Sequence, residues 1–211
     1  MTDRGQWEID EEALEKALSS IRKTFDYPIK KKKMTPADLE NLLKTKLQTT
    51  TSLKDMKDVD LIIEAVLEDM QVKQEIWQQL EGICREDVLF ATNTSALPIT
   101  EMAAILADPG RMIGMHFFNP AHRMQLLEVI CAAKTSDQTL ATTVAFSRAI
   151  KKIPIVVNDG PGFYVSRQLG GLMGGAVYLS ADGVDGAAIE SAMIDFGMPM
   201  GPATLAPVRL A

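Results

Sequence analysis

Asp60-Leu61-Ile62-Ile63-Glu64-Ala65-Val66, then Gln71–Ile83 (QVKQEIWQQLEGI), then Val88-Leu89-Phe90-Ala91-Thr92 is the stretch that decides the fold. Its outer segments are short, almost continuous apolar runs, the first with acids at its edges, as expected of strands covered on both faces. The segment between them reads as a helix, and strand, helix, strand is a parallel crossover. Downstream the alternation continues: helix over Ile99–Leu106, strands at Met112–His116 and near Leu126–Ile130, helix near Gln138–Ile150 and strand at Ile153–Val157. Upstream, Ala13, Leu14, Ala17, Leu18 and Ile21 share one face of a helix over Glu11–Lys23. Thr35-Pro36-Ala37-Asp38 sets a capping residue, a proline and an acid where a second helix starts, and Thr49–Leu53 is a short β-branched stretch. These elements predict a doubly wound α/β sheet. The turn cluster Asp159-Gly160-Pro161-Gly162 changes the pattern, and beyond it only helix is expected, which divides the chain into a sheet domain (1–158) and a helical segment (159–211).

Composition removes other classes. The 211 residues are 46% hydrophobic and 24% charged, a globular balance that excludes a disordered or fibrous chain. A net charge of −6 opposes binding to phosphate backbones and anionic bilayers, so neither nucleic acid nor a membrane surface is expected as a partner. The basic run Lys30–Lys33 reads as a solvated helix flank, with a phosphate-binding patch as the alternative. Cys84 and Cys131 have no metal-ligand spacing, so no zinc site is expected and both thiols are read as reduced. The uncharged stretch Gln168–Ala181 is glycine-rich and too short for a bilayer span.

With two histidines in the chain, the search for a group that titrates near neutrality is short. His116 closes a predicted strand in GMHFFNP, and strand carboxyl ends open onto the ligand crevice of such sheets. Glu128 lies in the apolar stretch QLLEVI, where an unpaired carboxylate is costly to bury. A histidine backed by a buried carboxylate is an arrangement for proton abstraction. The alternative is a core histidine bonded to backbone and a surface glutamate. His122, in AHRM, reads as a loop residue. Ser95, in ATNTSALP, follows a strand directly, so its hydroxyl and the amide of Asn93 face the same crevice; ordinary helix-start chemistry is the competing reading.

FATNTSALPI, IGMHFFNPAHRMQLLEVI, VNDGPGFYVSR and FGMPMGPATL, in this order and separation, closely resemble the L-3-hydroxyacyl-CoA dehydrogenases over nearly the whole chain. The similarity is nearest to the dehydrogenase part of the multifunctional α-subunits of fatty-acid β-oxidation, the mitochondrial trifunctional protein and its bacterial counterparts, which DRGQ near the start also resembles. The resemblance implies a Rossmann-like NAD-binding domain followed by an all-α domain for substrate and dimerisation. It implies NAD-dependent oxidation of a 3-hydroxyacyl-CoA, with His116 as general base, Glu128 orienting it, Ser95 and Asn119 holding the substrate oxygen, and Glu68, Lys73 and Asn93 near the nicotinamide ribose. Ser166 stands where the family's GPGFxxNR motif has an asparagine that contacts the active site, a hydroxyl found in the trifunctional branch too.

Two departures set further expectations. No GxGxxG occurs, so the reading is of a sheet that lacks its first βαβ segment and its ribose-binding acid and begins inside a helix; the helical domain stops soon after GPATL. The chain is therefore read as a fragment of such a dehydrogenase, acting as a homodimer or paired with β-oxidation complex subunits, with membrane contact only through a parent complex. The alternative is a non-catalytic piece that binds acyl-CoA or pairs with a relative without binding NAD. The compartment expected is the mitochondrial matrix in a eukaryote and the cytoplasm in a bacterium.

Overall fold

The computed structural model describes residues 4–8 and 10–205. The chain runs β1 (Arg4–Trp7), α1 (Glu11–Thr24), α2 (Asp26–Lys30), α3 (Pro36–Lys46), β2 (Leu47–Thr50), β3 (Leu61–Glu64), α4 (Met70–Ile83), β4 (Leu89–Thr92), α5 (Ile99–Ala103), β5 (Met112–Phe117), β6 (Leu126–Cys131), α6 (Asp137–Ala149), β7 (Ile153–Asn158), α7 (Val165–Ala181), α8 (Gly186–Asp195) and α9 (Pro202–Leu205).

Strands β3 to β7 form one sheet in sequence order, parallel except where β5 meets β6. The exception follows from chain length: eight residues, 118–125, join β5 to β6, too few for the helical crossover that a parallel pair requires. The other connections carry α4, α5 and α6. Strand β1, ahead of α1, corrects the expectation that the chain begins inside a helix. It pairs in parallel with β2 from Arg4↔Leu47 to Trp7↔Thr50, so a strand–helix–strand unit does stand at the front of the described residues. RGQW has neither alternation nor a β-branched residue to announce a strand, and α2 is likewise too short to show a period.

Local chemistry accounts for the helix starts. The Asp10 carboxylate accepts from the Ala13 amide, Thr35 and Asp38 form a reciprocal capping box with Pro36 at the first helical position, and Asp69 and Ser136 cap α4 and α6. The core lies on both faces of the larger sheet. On one face Trp77, Leu80, Phe90, Ile99, Met102, Met112 and Ile130 pack together; on the other are Ala91, Ile113, Met115, Leu127 and Val129. Gly114 of β5 is required by this packing, because a Cβ there would lie 2.2 Å from Ile99 Cδ1 and 2.8 Å from Ile130 Cβ. Beyond β7 the regular elements of the described residues are the helices α7, α8 and α9, and no helix of the described residues is long and apolar enough to cross a membrane.

Candidate active site

The antiparallel pairing of β5 with β6 sets His116 directly opposite Glu128. Directly paired side chains on one face of a sheet are contact neighbours, and here Nδ1 of the imidazole lies 2.7 Å from Glu128 Oε2. Glu128 is fully buried and His116 nearly so. A carboxylate can only accept, so this contact puts the ring proton on Nδ1 and leaves the lone pair of Nε2 as the reactive one. The other carboxylate oxygen of Glu128 accepts the amides of Tyr164 (3.1 Å) and Val165 (2.9 Å) at the start of α7. The buried charge is thus matched by a helix N-terminus as well as by the histidine. The rings of Phe118 and Phe163 flank the imidazole at centroid distances of 4.5 and 6.0 Å.

Phe163 reaches that place through a backbone of positive φ (+48°), directly after Gly162 at +68°. Left-handed geometry at a bulky residue is a local strain that the surrounding packing must hold. Here the holding contacts are a side chain 3% exposed in the core and the DGPG turn before it.

The ends of β3 and β4 build the neighbouring half of the site. Asn93, just past β4, accepts the amide of Phe117 at 2.8 Å and so ties the end of β4 to the residue after His116. Glu68 accepts from the hydroxyl of Thr94 (2.5 Å) and the amide of Ser95 (3.0 Å). Burial pushes the Glu68 carboxyl up, but the Thr94 hydroxyl, the Ser95 amide and the Lys73 ammonium outweigh it and hold the group below its ordinary value. Behind it Lys73 is buried against Glu64 at 2.6 Å, and Glu64 also accepts from the Val66 amide and the Thr92 hydroxyl. Three residues of this network, Glu64, Thr92 and Thr94, are not among the site residues that the sequence singles out. Glu64 reads there as an acid at a strand edge. A charged residue inside a run expected to be covered on both faces is the one signal that could have marked it.

His116, Glu128, Asn93, Ser95, Glu68 and Lys73 therefore belong to hydrogen-bonded groups gathered where β3, β4 and β5 end, with Glu128 reaching the same edge from the first half of the antiparallel β6 and Lys73 from the first turn of α4. The side chains of Asn119 and Ser166 make no hydrogen bond among the described residues. Asn119 is exposed in the turn after β5, and Ser166 lies in the first turn of α7 beside Gly162. The loop that carries Asn119 is clamped by Lys152, just ahead of β7, which donates to the carbonyls of Ala121 and Met124. His122 and Arg123 line a cleft of about 380 Å³ with Lys23, Thr24, Asp26, Tyr27 and Lys30, so the first lysine of the basic run turns toward the loop that follows the site. For a nicotinamide nucleotide the residues fit at the ribose end: Glu68 presents a partly exposed carboxylate, its side chain 42% accessible, at a strand end where hydroxyls can donate to it.

A mainly parallel sheet that carries a carboxylate-backed histidine at the end of one strand, beside an open acceptor for a ribose, defines a nucleotide-dependent dehydrogenase of the doubly wound class. The particular family follows from comparison with known proteins. Residues 6–160 match the family described as "3-hydroxyacyl-CoA dehydrogenase, NAD binding domain", and residues 162–208 match "3-hydroxyacyl-CoA dehydrogenase, C-terminal domain". The chain belongs to the 3-hydroxyacyl-CoA dehydrogenase family. It is 44% identical over 198 residues to the fatty acid oxidation complex subunit alpha of Shewanella oneidensis, a match covering 94% of this chain and 28% of that protein. The chain thus spans under a third of the length of the curated relatives it matches. Its fold superposes on the (S)-3-hydroxybutyryl-CoA dehydrogenase of Ralstonia eutropha with a TM-score of 0.91 at 36% identity, covering 97% of this chain and 72% of that one. With the 3-hydroxybutyryl-CoA dehydrogenase of Escherichia coli the TM-score is 0.88 at 32% identity, covering 95% and 43%.

Proposed function

We propose that this chain carries the dehydrogenase chemistry of its family: reversible, NAD-dependent oxidation of a 3-hydroxyacyl-CoA to the 3-ketoacyl-CoA in fatty-acid β-oxidation. The observation that carries the reading is the 2.7 Å contact between His116 Nδ1 and a Glu128 itself held by two helix amides. It leaves Nε2 to take the proton of the substrate's 3-hydroxyl as the C3–O bond becomes a carbonyl, and the carboxylate balances the charge the ring acquires. NAD, when bound, supplies the acceptor for the hydride from C3. Ser95 and Asn119 would hold the reacting oxygen, Ser166 would line the substrate side, Asn93 fixes the strand that bears His116, and Glu68 would take the ribose hydroxyls.

The partners that fit this reading are an acyl-CoA and either a second copy or other subunits of a fatty-acid oxidation complex, since the similar curated proteins are α-subunits of such complexes. The matching compartments are the mitochondrial matrix in a eukaryote and the cytoplasm in a bacterium. A second reading, acyl-CoA binding or pairing without NAD, is favoured by one observation: β1–β2 and β3–β7 are separate sheets, with no strand among the described residues joining them. One experiment separates the two. NADH oxidation by the purified chain with acetoacetyl-CoA, beside an NADH titration, should show turnover that falls by about 10²–10⁴-fold in His116→Gln. Turnover that survives the substitution overturns the proposed chemistry, and the absence of both turnover and NADH binding selects the second reading.

A further inference from the structure

Lys73 is 1% exposed, and its ammonium has three N–H bonds to give. Within the protein it meets three oxygens: Glu64 Oε1 at 2.6 Å, Glu68 Oε2 at 3.3 Å and the Val66 carbonyl at 3.4 Å. None is left for a ligand. Glu64 is engaged at both oxygens, one taking Lys73 and the Val66 amide (2.7 Å), the other the Thr92 hydroxyl (2.7 Å). Glu68 differs, because its side chain is 42% accessible while its inner contacts run to both halves of the site. Oε2 faces Lys73, on the side given to the cofactor. Oε1 takes the hydroxyl of Thr94 and the amide of Ser95, on the side given to the substrate. Thr94 in turn accepts the amides of Ala96 (3.3 Å) and Leu97 (2.9 Å), so the loop that presents Ser95 is tied to Glu68 at more than one point.

From this geometry we infer that Lys73 and Glu64 are positioning residues that aim the Glu68 carboxylate, and that Glu68 transmits its placement through Thr94 to Ser95, coupling the cofactor half of the site to the substrate half. The inference rests on the proposed dehydrogenase reading for what the two halves bind, but the coupling is a property of the free protein. Two sites that share one side chain bias each other's geometry, and the bias is reciprocal. A ribose that draws Glu68 outward would reset the amide of Ser95, and a substrate oxygen on Ser95 would feed back on Glu68.

The test has one arm without cofactor and one with it. Lys73→Met alone strands the buried Glu64 charge and can unfold the chain, so the informative protein is the double variant Glu64→Gln/Lys73→Met, which replaces the buried ion pair by a neutral pair. In the free chain, side-chain carboxyl NMR should show the Glu68 titration midpoint moving upward in the double variant, and the Ser95 amide resonance should shift with it. Thr94→Val should shift Ser95 with Lys73 intact. In the second arm, NADH affinity should fall by about tenfold in the double variant and should fall no further when Glu68→Gln is added. An unmoved Ser95 amide, or losses that multiply as direct Lys73 contact with the nucleotide requires, overturns the inference. If the wild-type chain does not bind NADH, the dehydrogenase reading fails in the second arm while the first still decides the coupling.

Discussion

The β5–β6 pair and the α7–α8 pair place their residues in opposite ways. In the strands the charged side chains are inside: Glu128 is 0% exposed and His116 8%, among residues as deeply buried as Met115, Leu127 and Val129. In the helices several large apolar side chains are outside: Tyr178 is 76% exposed and Phe196, just past α8, 83%, with Val177, Leu179 and Ile194 about half exposed. Hydrophobicity by itself predicts the reverse of both. What distinguishes the two regions is satisfaction of demand. Every polar atom of the Glu128 carboxylate has a donor, so its burial is tolerated. Scattered apolar exposure on the helices carries only the modest cost of uncovered surface.

The sharpest way to break the contrast is at Glu128. Glu128→Ala leaves two helix amides and the imidazole without an acceptor, and urea unfolding should show a loss of about 3–5 kcal/mol. Glu128→Gln should keep more of the fold, since the amide oxygen still accepts from α7, yet turnover should fall by about 10²–10⁴-fold because the new N–H donor drives the ring proton to Nε2. Gly114→Ala probes packing alone. Forcing a methyl against Ile99 and Ile130 should cost about 1–3 kcal/mol in the same unfolding experiment. The smallest effect belongs to the other region: Phe196→Ser should change unfolding free energy by no more than about 0.5 kcal/mol. A large loss there would mean that the exposed ring is a packing residue after all, and the contrast would fail.

The sequence carried the parts of the site that depend on residue type and on position along a strand. The alternation of apolar runs and helices gave the sheet, and His116 at a strand end with Glu128 in an apolar segment gave the pair. Their direct opposition did not follow, because it depends on β5 and β6 running antiparallel, which only the short 118–125 connection dictates. The amides of Tyr164 and Val165 were beyond reach for a different reason. Backbone donors have no side-chain signature, and they act on Glu128 from more than thirty residues away. Glu64 was visible as a letter but not as a buried charge, since its partner Lys73 comes from the next helix and the two make sense only together. Strand β1 was missed because four residues without β-branching carry almost no local preference.

The pair of hydrogen bonds from the start of α7 to Glu128 has a mechanical meaning. The carboxylate that holds the imidazole is also the joint between the sheet and the first helix beyond it. If α7 rotates away by little more than one hydrogen-bond length, the carboxylate loses the anchor that aims it at His116, so the posture of the helical segment and the readiness of the base are a single variable. A substitution in the first turn of α7, far along the chain from the histidine, can then act as a brake on proton transfer without touching any group that takes part in it.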